Sequence, residues 1–225
     1  MCANFTLNAT VDEIKSAYPA EIWEDSVKKS VKKDVRITDE AWVITADEPG
    51  LLQQMHFGLV PWYSKECQME RDTFNSKKEN LLTSKLWAPL MRNHKRCIII
   101  TTGFTEPQEI AENRTRHWKF TMKDRPVFSI AGLWSEWRHP INGSVYRSFA
   151  MITTVANDQV GEVHGSNRMP AGLTEEQEKL WLSKTLPTMQ AYLDLLVTMP
   201  DDAMNRDETH KPGAHDDESQ INLFE

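Results

Sequence analysis

The sequence predicts an α+β fold built on a curved or barrel-like sheet, because many short β-type runs alternate with few helical segments. The chain has 225 residues, of which 40% are hydrophobic and 26% charged, a composition that suits one globular domain with or without a tail. Eight Trp and eight Phe residues provide large apolar side chains for a core. No internal repeat is present.

The N-terminal part of the chain is predicted to contain one helix and two strands before a long loop. The Thr10–Glu13 segment matches a capping box and predicts a short helix that runs to Tyr18. Alternating, β-branched sequence predicts a strand over residues 35–45, and residues 51–57 are predicted to form a second. Residues 58–80 lack clean periodicity and indicate a long ordered loop, a type of segment that often carries function.

The middle of the chain is predicted to be mainly β. Helical spacing of apolar residues predicts a helix over residues 84–94. The apolar run at 96–102 indicates a buried strand that ends in a turn at Gly103. Residues 117–122 and 127–133 are predicted to be two paired strands on either side of a short polar turn.

The C-terminal part is predicted to hold one more strand, two helices and a tail. Residues 146–155 are β-rich, residues 174–182 form a helix with acids in its first turn, and residues 188–196 form another. The predicted domain covers residues 1–200. Residues 201–225 are polar and acidic, and they are predicted to be a flexible tail.

The distribution of charge keeps nucleic acid open as a partner, although the net charge is −7. The predicted tail has eight acidic and two basic residues, a charge of −6, which leaves −1 for the remainder. A nearly neutral body can hold a local basic groove, because phosphate contacts depend on local charge.

The compartment indicated by the sequence is the reducing cytosol. No apolar run is long enough to span a bilayer, and the N-terminus does not resemble a signal peptide. The three cysteines, Cys2, Cys67 and Cys97, are too few and too scattered for a disulfide framework or a zinc site. We therefore expect no membrane contact, no metal and no other cofactor.

Cysteine at position 2 has distinctive chemistry if Met1 is removed. Cys2 would then carry a free α-amine and a thiol on neighbouring carbons. With a reference pKa of about 7.7–8.0, part of this amine is neutral near pH 7. It can attack an aldehyde to form a Schiff base, and the thiol can close a thiazolidine ring. Taken alone, Cys2 is more often an incidental small residue at a chain end.

Three other residues are candidates for the same chemistry. Glu106 follows the predicted strand at 96–102, where a carboxylate can transfer protons. His164 follows the strand at 146–155, and Asn75 lies in the irregular loop. Individually, a surface acid in a turn and a surface histidine are the more common interpretations, and Asn75 alone is uninformative.

Several short motifs occur in an order that resembles the SRAP family (SOS-response-associated peptidase proteins). The motifs are Cys2, Phe57–Trp62, Asn75–Glu79, Arg96–Ile99, Gly103–Glu106, Ala131–Trp134, Ile152–Thr154, and His164 followed by Arg168–Pro170. Each motif alone is weak, but the ordered set extends from residue 1 to about residue 173. The family fold implied is a curved, barrel-like, mostly antiparallel sheet with peripheral helices.

The resemblance implies covalent cross-linking of the protein to abasic sites in single-stranded DNA, which protects the lesion during replication. In this chain, the resemblance implies that Cys2 is the nucleophile and forms the thiazolidine. It implies that Asn75 positions Cys2 or the opened sugar and that Glu106 transfers protons. His164 would assist opening of the sugar ring and reversal of the cross-link. Met1 removal by the chain itself and a DNA lyase activity are further expectations.

The expected DNA contacts are also implied by the resemblance. Phosphates would be bound by Lys77 and Arg168, with Lys78 and Lys85 as additional candidates. Trp62 and Tyr63 would support or stack on a base beside the lesion, although core packing is an equally good interpretation of Trp62.

The chain departs from the family pattern at several positions near these residues, including Pro107 for a tryptophan and a longer spacing between His164 and Arg168. Asn4 stands where the family has an arginine, Lys77 replaces another arginine, and Thr105 replaces a tyrosine. A lysine provides a point charge without the bidentate fork of arginine. DNA affinity or substrate preference is therefore expected to differ.

The predicted tail ends in a segment that resembles the bacterial sliding-clamp-binding pentapeptide, Gln-x-x-Leu-Phe. Here the matching residues are Gln220, Leu223 and Phe224. Such peptides place apolar anchors in a preformed groove. A chance match, or docking on the protein's own body, is the alternative.

Two other functions remain open from the sequence. One is a thiol autopeptidase or amide hydrolase that uses Cys2 with His164 and Glu106. The other is a non-catalytic module that binds modified DNA reversibly and has no need of Cys2.

Overall fold

The computed structural model describes residues 2–22, 31–69, 72–163, 165, 167–210 and 220–221. The strands in these residues are β1 (Asn4–Thr6), β2 (Glu21–Ile22), β3 (Val31–Lys32), β4 (Asp34–Arg36), β5 (Glu40–Thr45), β6 (Leu51–Phe57), β7 (Asn75–Lys77), β8 (Arg96–Thr101), β9 (Gly103–Ala111), β10 (Arg114–Met122), β11 (Phe128–Arg138), β12 (Val145–Val155), β13 (Arg168–Pro170), β14 (Gly172–Leu173), β15 (Met204–Thr209) and β16 (Gln220–Ile221). The helices are α1 (Val11–Ala17), α2 (Trp87–Arg92), α3 (Asp158–Gly161), α4 (Glu175–Leu182) and α5 (Met189–Asp194), with 3₁₀ helices at Lys78–Asn80 and Asp201–Ala203.

Five strands close into a barrel. β12 pairs antiparallel with β11, β11 with β8, β8 with β5, and β5 with β6. A parallel pairing of β6 with β12 completes the ring, with Phe57 opposite Phe149. The predicted α+β fold on a curved, barrel-like, mostly antiparallel sheet with peripheral helices is confirmed.

A second sheet packs against the barrel where β6 pairs with β12, the seam that closes the ring. Its strand order is β15-β10-β9-β1-β4, and all of its pairings are antiparallel. Phe5 on β1 contacts both sides of the seam, with its ring centroid 5.5 Å from that of Phe57 and 6.4 Å from that of Phe149. This aromatic contact anchors the N-terminal strand, and with it Cys2, beside the barrel.

Most of the predicted elements are present. The strands predicted at 51–57, 96–102 and 146–155 correspond to β6, β8 and β12, and the helices predicted at 84–94, 174–182 and 188–196 correspond to α2, α4 and α5. The capping box predicted at Thr10 and Glu13 is formed at the start of α1.

The prediction of Gly103 as a turn residue is wrong, because the chain bends at Thr102 and Gly103 is already the first residue of the next strand. β8 belongs to the barrel, and β9 begins at Gly103 in the second sheet. A Cβ at Gly103 would lie 2.6 Å from the Phe120 carbonyl oxygen, so the close approach of β10 requires glycine. Glu106 consequently lies within a strand rather than in a turn.

The predicted pairing of residues 117–122 with 127–133 is also wrong. Both segments are strands, but β10 pairs with β9 and β15, whereas β11 pairs with β8, β12 and β14. The segment between them crosses from one sheet to the other. Arg125 fixes this crossing by donating to the Leu173 carbonyl (2.9 Å) and to the Glu178 carboxylate (3.0 Å).

The strand predicted over residues 35–45 is two strands in different sheets. A turn separates β4 from β5, with Thr38 in the left-handed region at a φ of 79°. The Arg36 amide donates to the Asp39 carboxylate (3.0 Å), which stabilises this turn. The three consecutive polar residues Thr38, Asp39 and Glu40 interrupt the alternation at this turn, a local signal that the single-strand prediction did not use.

The flexible tail predicted from residue 201 is ordered over its first part. After a 3₁₀ helix, β15 pairs along its full length with β10, from Met204 opposite Met122 to Thr209 opposite His117. Met204 is buried and anchors the strand. An edge strand exposes most of its side chains, so an acidic, polar sequence is compatible with β structure there.

No helix among the described residues is long and apolar enough to cross a membrane.

Arg96 is a fully buried arginine that joins β8 to the C-terminal end of α4. Its guanidinium donates to the carbonyl oxygens of Trp181 (2.7 Å) and Ser183 (2.5 Å), and it lies 3.8 Å from the centroid of the Tyr192 ring. These hydrogen bonds satisfy carbonyl oxygens that have no partner within the helix. The positive charge is also favourable there, because the C-terminal end of a helix carries partial negative charge.

Replacing Arg96 with methionine should destabilise the fold by about 2–4 kcal/mol, because buried carbonyl oxygens lose their donors. Urea-induced unfolding would measure this change in the free energy of unfolding. Arg92→Met is the matched control, since Arg92 is exposed at the end of α2. Equal effects of the two substitutions would contradict the assigned role.

Candidate functional site

Cys2 is held in a buried position just before β1. Its side chain is 1% exposed, and the thiol donates to the Asn4 carbonyl at 3.1 Å. Asn75 donates from its side-chain amide to the Cys2 carbonyl oxygen at 2.7 Å. The other side-chain atom of Asn75, its carbonyl oxygen, is buried and makes no hydrogen bond within the described part of the chain.

The position of Asn75 is set by β7, the short strand within the loop predicted over residues 58–80. β7 pairs in parallel with β12, with Asn75 opposite Met151. A side chain from this loop is thereby carried to the N-terminus, 73 residues away in the sequence. The loop prediction is correct in its irregularity but did not include this strand.

Glu106 is the acid next to Cys2. It lies on β9 with 1% exposure, so the alternative of a surface acid is wrong. Burial raises the pKa of Glu106 to about 7, and the positive charge of the N-terminus and the hydrogen bond with the Cys2 thiol partly oppose this rise. Near neutral pH the carboxyl group is therefore present in both protonated and ionised forms.

The Cys2 thiol remains protonated under the same conditions. Burial raises its pKa well above the ordinary value, and the negative charge of Glu106 raises it further. A strongly acidic thiol, as in a thiolate protease, is not what this environment produces. The pair instead forms a thiol beside a carboxyl group that can accept or donate a proton.

The predicted catalytic set is brought together in part. Cys2 contacts Asn75 through a hydrogen bond and Glu106 through its thiol. His164 lies outside the described residues.

The candidate cations differ in their surroundings. Arg168 on β13 forms a bidentate ion pair with Glu79, with both N–O distances at 3.0 Å, and also donates to the Thr153 carbonyl. Lys78 donates to the Leu196 carbonyl at 2.7 Å, which ties its ammonium to the end of α5. Lys77 and Lys85 are exposed.

Comparison with known proteins identifies the family. A family model described as SOS response associated peptidase (SRAP) matches residues 1–211. The chain belongs to the SRAP family. The resemblance carried by the ordered motifs is thereby confirmed.

Relatives of this SRAP protein are found in bacteria and vertebrates. It is 27% identical over 185 residues to the abasic site processing protein YoqW of Bacillus subtilis, covering 81% of this chain and 80% of that one. It is 26% identical over 205 residues to YoaM of the same organism, covering 90% and 87%. With the abasic site processing protein HMCES of Gallus gallus it shares 26% over 167 residues, covering 63% and 48%.

Solved structures share the fold of this SRAP protein. A protein from Bacteroides thetaiotaomicron superposes with a TM-score of 0.82 at 22% identity, covering 93% of both chains. One from Bordetella bronchiseptica gives 0.77 at 18% identity, covering 93% of this chain and all of that one.

The two candidate aromatic residues lie on the surface of the SRAP domain. Trp62 is 41% and Tyr63 52% exposed, and their rings meet edge to face at 4.9 Å. Core packing, the alternative for Trp62, is therefore wrong. Trp62 borders a cleft of about 500 Å³ that is also lined by Asn93, Lys95 and Ser135.

The sequence assigned no role to Glu79, whose carboxylate accepts two hydrogen bonds from the Arg168 guanidinium in the structure. Glu79 ends the Asn75–Glu79 motif, so its position in that motif was the available signal. Of the residues predicted to bind a sliding clamp, Gln220 lies in β16, whose backbone pairs with β3, while Leu223 and Phe224 lie outside the described residues.

Proposed function

We propose that this SRAP protein processes abasic sites in DNA by forming a covalent cross-link between Cys2 and the lesion in single-stranded DNA, which protects it during replication. The observation that carries the proposal is the hydrogen bond from Asn75 to the Cys2 carbonyl, which holds an N-terminal cysteine beside a buried carboxyl group. The relatives named as abasic site processing proteins support the DNA substrate.

The chemistry begins with removal of Met1, which converts the Cys2 amide nitrogen into an α-amine. The neutral amine attacks the C1′ aldehyde of the ring-opened deoxyribose to give a carbinolamine, which loses water to form an imine. The Cys2 sulfur then adds to the imine carbon, and the thiol proton passes to the nitrogen. The product is a thiazolidine, and one water is released in all.

Glu106 is suited to move the protons in these steps. A carboxyl group with a pKa near 7 can donate a proton to the leaving hydroxyl of the carbinolamine and later accept the thiol proton. Asn75 holds the Cys2 backbone in place, and its buried side-chain oxygen is available to the opened sugar. His164 is assigned the opening of the sugar ring and cross-link reversal.

The DNA strand would be held by cations and exposed aromatic rings. Arg168, Lys77 and Lys85 are assigned to phosphates, and Lys78 would have to leave the Leu196 carbonyl to join them. Trp62 and Tyr63 expose ring surface on which unpaired bases can stack, which favours single strands over duplex.

Two accessory activities follow from the same groups. The partly ionised carboxylate of Glu106 beside Cys2 would assist hydrolysis of the Met1–Cys2 bond, an autopeptidase activity. The imine also acidifies the C2′ protons of the sugar, so elimination of the 3′ phosphate, a lyase reaction, competes with closure of the thiazolidine ring.

A denaturing gel of the protein with single-stranded abasic DNA tests the proposal. A shifted band that survives denaturation is expected. Turnover of peptides without any DNA adduct would favour an amide hydrolase instead. Reversible, salt-sensitive binding with no adduct would favour a non-catalytic DNA-binding module.

We also propose that the C-terminal segment binds a sliding clamp through Gln220, Leu223 and Phe224. Substituting both Leu223 and Phe224 with alanine should reduce retention of the protein on immobilised bacterial clamp to background, because the apolar anchors are lost. Alanine at Asn222, which is not part of the motif, is the control. Equal retention of the wild type and the double variant would contradict the assignment.

A further inference from the structure

The Arg168–Glu79 ion pair differs in its exposure from the Arg125–Glu178 ion pair, in which one arginine nitrogen contacts both carboxylate oxygens. In the Arg125–Glu178 pair the acid side chain is 9% exposed, and it also accepts from Tyr18 (2.7 Å) and Ser129 (2.6 Å). In the Arg168–Glu79 pair the acid side chain is 53% exposed, while the arginine is 11% exposed. The first pair is a buried structural network, whereas in the second only the arginine is fixed.

Arg168 is held in place without Glu79. Its guanidinium donates to the Thr153 carbonyl on β12, and Arg168 is paired with Val155 of the same strand through β13. Its Nε is buried and makes no hydrogen bond within the described residues. Glu79, in contrast, belongs to a single 3₁₀ turn, and its carboxylate can rotate into water.

Glu79 occupies the part of Arg168 that a phosphate would use. Both terminal nitrogens of the guanidinium are bonded to the Glu79 oxygens at 3.0 Å. A DNA phosphate recognised by arginine uses the same planar fork through two of its oxygens. Carboxylate and phosphate cannot occupy this fork together.

We infer that Glu79 is a specificity-determining residue that competes with DNA phosphates for Arg168 and thereby weakens binding to undamaged single strands. The inference rests on the proposed function, in which Arg168 contacts a phosphate. Undamaged strands must displace Glu79 using reversible contacts alone. An abasic strand is retained by the covalent bond at Cys2, so it tolerates this competition.

The test is the reversible affinity for undamaged single-stranded DNA, measured by fluorescence anisotropy at fixed salt. Glu79→Gln and Glu79→Ala should each tighten binding roughly three- to tenfold, as expected for loss of one partly exposed bidentate ion pair. Glu176→Gln removes the same charge from an exposed position on α4 and should leave affinity nearly unchanged. In an Arg168→Gln background the Glu79 substitutions should have no effect.

Three results would overturn the inference. They are unchanged or weaker binding by both Glu79 variants, equal tightening by Glu176→Gln, and persistence of the effect without Arg168. Thermal unfolding of each variant shows whether it is folded. Cross-linking to abasic DNA, assayed in parallel, separates the two proposals: an absent adduct with intact DNA binding contradicts the proposed function alone, and an absence of any DNA binding contradicts both.

Discussion

Cys2→Ala is expected to abolish the denaturation-resistant adduct with single-stranded abasic DNA, because the sulfur needed for the thiazolidine is lost. The α-amine of residue 2 remains if Met1 is still removed, so a Schiff base can still form. This imine hydrolyses under denaturing conditions unless it is reduced. Borohydride added during the reaction should therefore recover a cross-linked band for Cys2→Ala, while without borohydride only the wild type should give one.

The matched control is Cys67→Ala, which removes an exposed thiol outside the site. It should cross-link like the wild type. If Cys2→Ala formed a stable adduct without borohydride, or if Cys67→Ala lost it, the sulfur of Cys2 would not be the group that captures the sugar.

Glu106→Gln is expected to slow cross-linking by about 10²–10⁴-fold, the usual contribution of a positioned proton-transfer group. The amine must be neutral to attack, so the wild-type rate should rise with pH toward the amine's pKa of about 7.7–8.0. The acid form of Glu106 is lost as pH rises through its pKa of about 7, so the rate should fall at higher pH. Glu106→Gln should lack this alkaline fall, whereas Glu109→Gln, on the exposed part of β9, should keep it.

The stability of Glu106→Gln distinguishes lost catalysis from misfolding. Because the folded-state pKa of Glu106 is raised above its ordinary value, the native state is penalised when the carboxyl ionises. The free energy of unfolding of the wild type should therefore fall as pH rises from about 4.5 to about 7. The neutral glutamine of Glu106→Gln should remove this loss. At pH 8 we expect Glu106→Gln to melt no lower than the wild type. A lower melting temperature with an unchanged pH profile would contradict the assigned role.

Local features of the fold were accessible from the sequence because they depend on neighbouring residues. The capping box at Thr10 requires only Glu13, and the buried strand β8 is visible as a short apolar run. Long-range pairing is not encoded in this way. The segments on either side of Arg125 look like a hairpin locally, but their partners lie in two different sheets.

The same limit explains the errors at Glu106 and in the tail. Gly103 was interpreted as a turn residue, whereas its lack of a Cβ serves the close approach of the Phe120 carbonyl, which belongs to another strand. Residues 205–209 are polar, and only the availability of β10 as a partner makes this segment a strand.

The candidate site was predictable mainly through the ordered motifs. These identified Cys2, Asn75 and Glu106, but no local pattern relates residues 2, 75 and 106 to one another. The hydrogen bond between Asn75 and Cys2 depends on the parallel pairing of β7 with β12, which only the structure reveals. The bidentate contact of Glu79 with Arg168 likewise joins residues 89 positions apart.

Intact-protein mass spectrometry of the wild type, before and after incubation with single-stranded abasic DNA, tests the central claim most directly. The free protein should have the mass of the chain without Met1. The adduct should equal that mass plus the oligonucleotide minus one water, with the modification mapped to Cys2. Retention of Met1 in a protein that still forms the adduct, or an adduct mapped to another residue, would contradict the account.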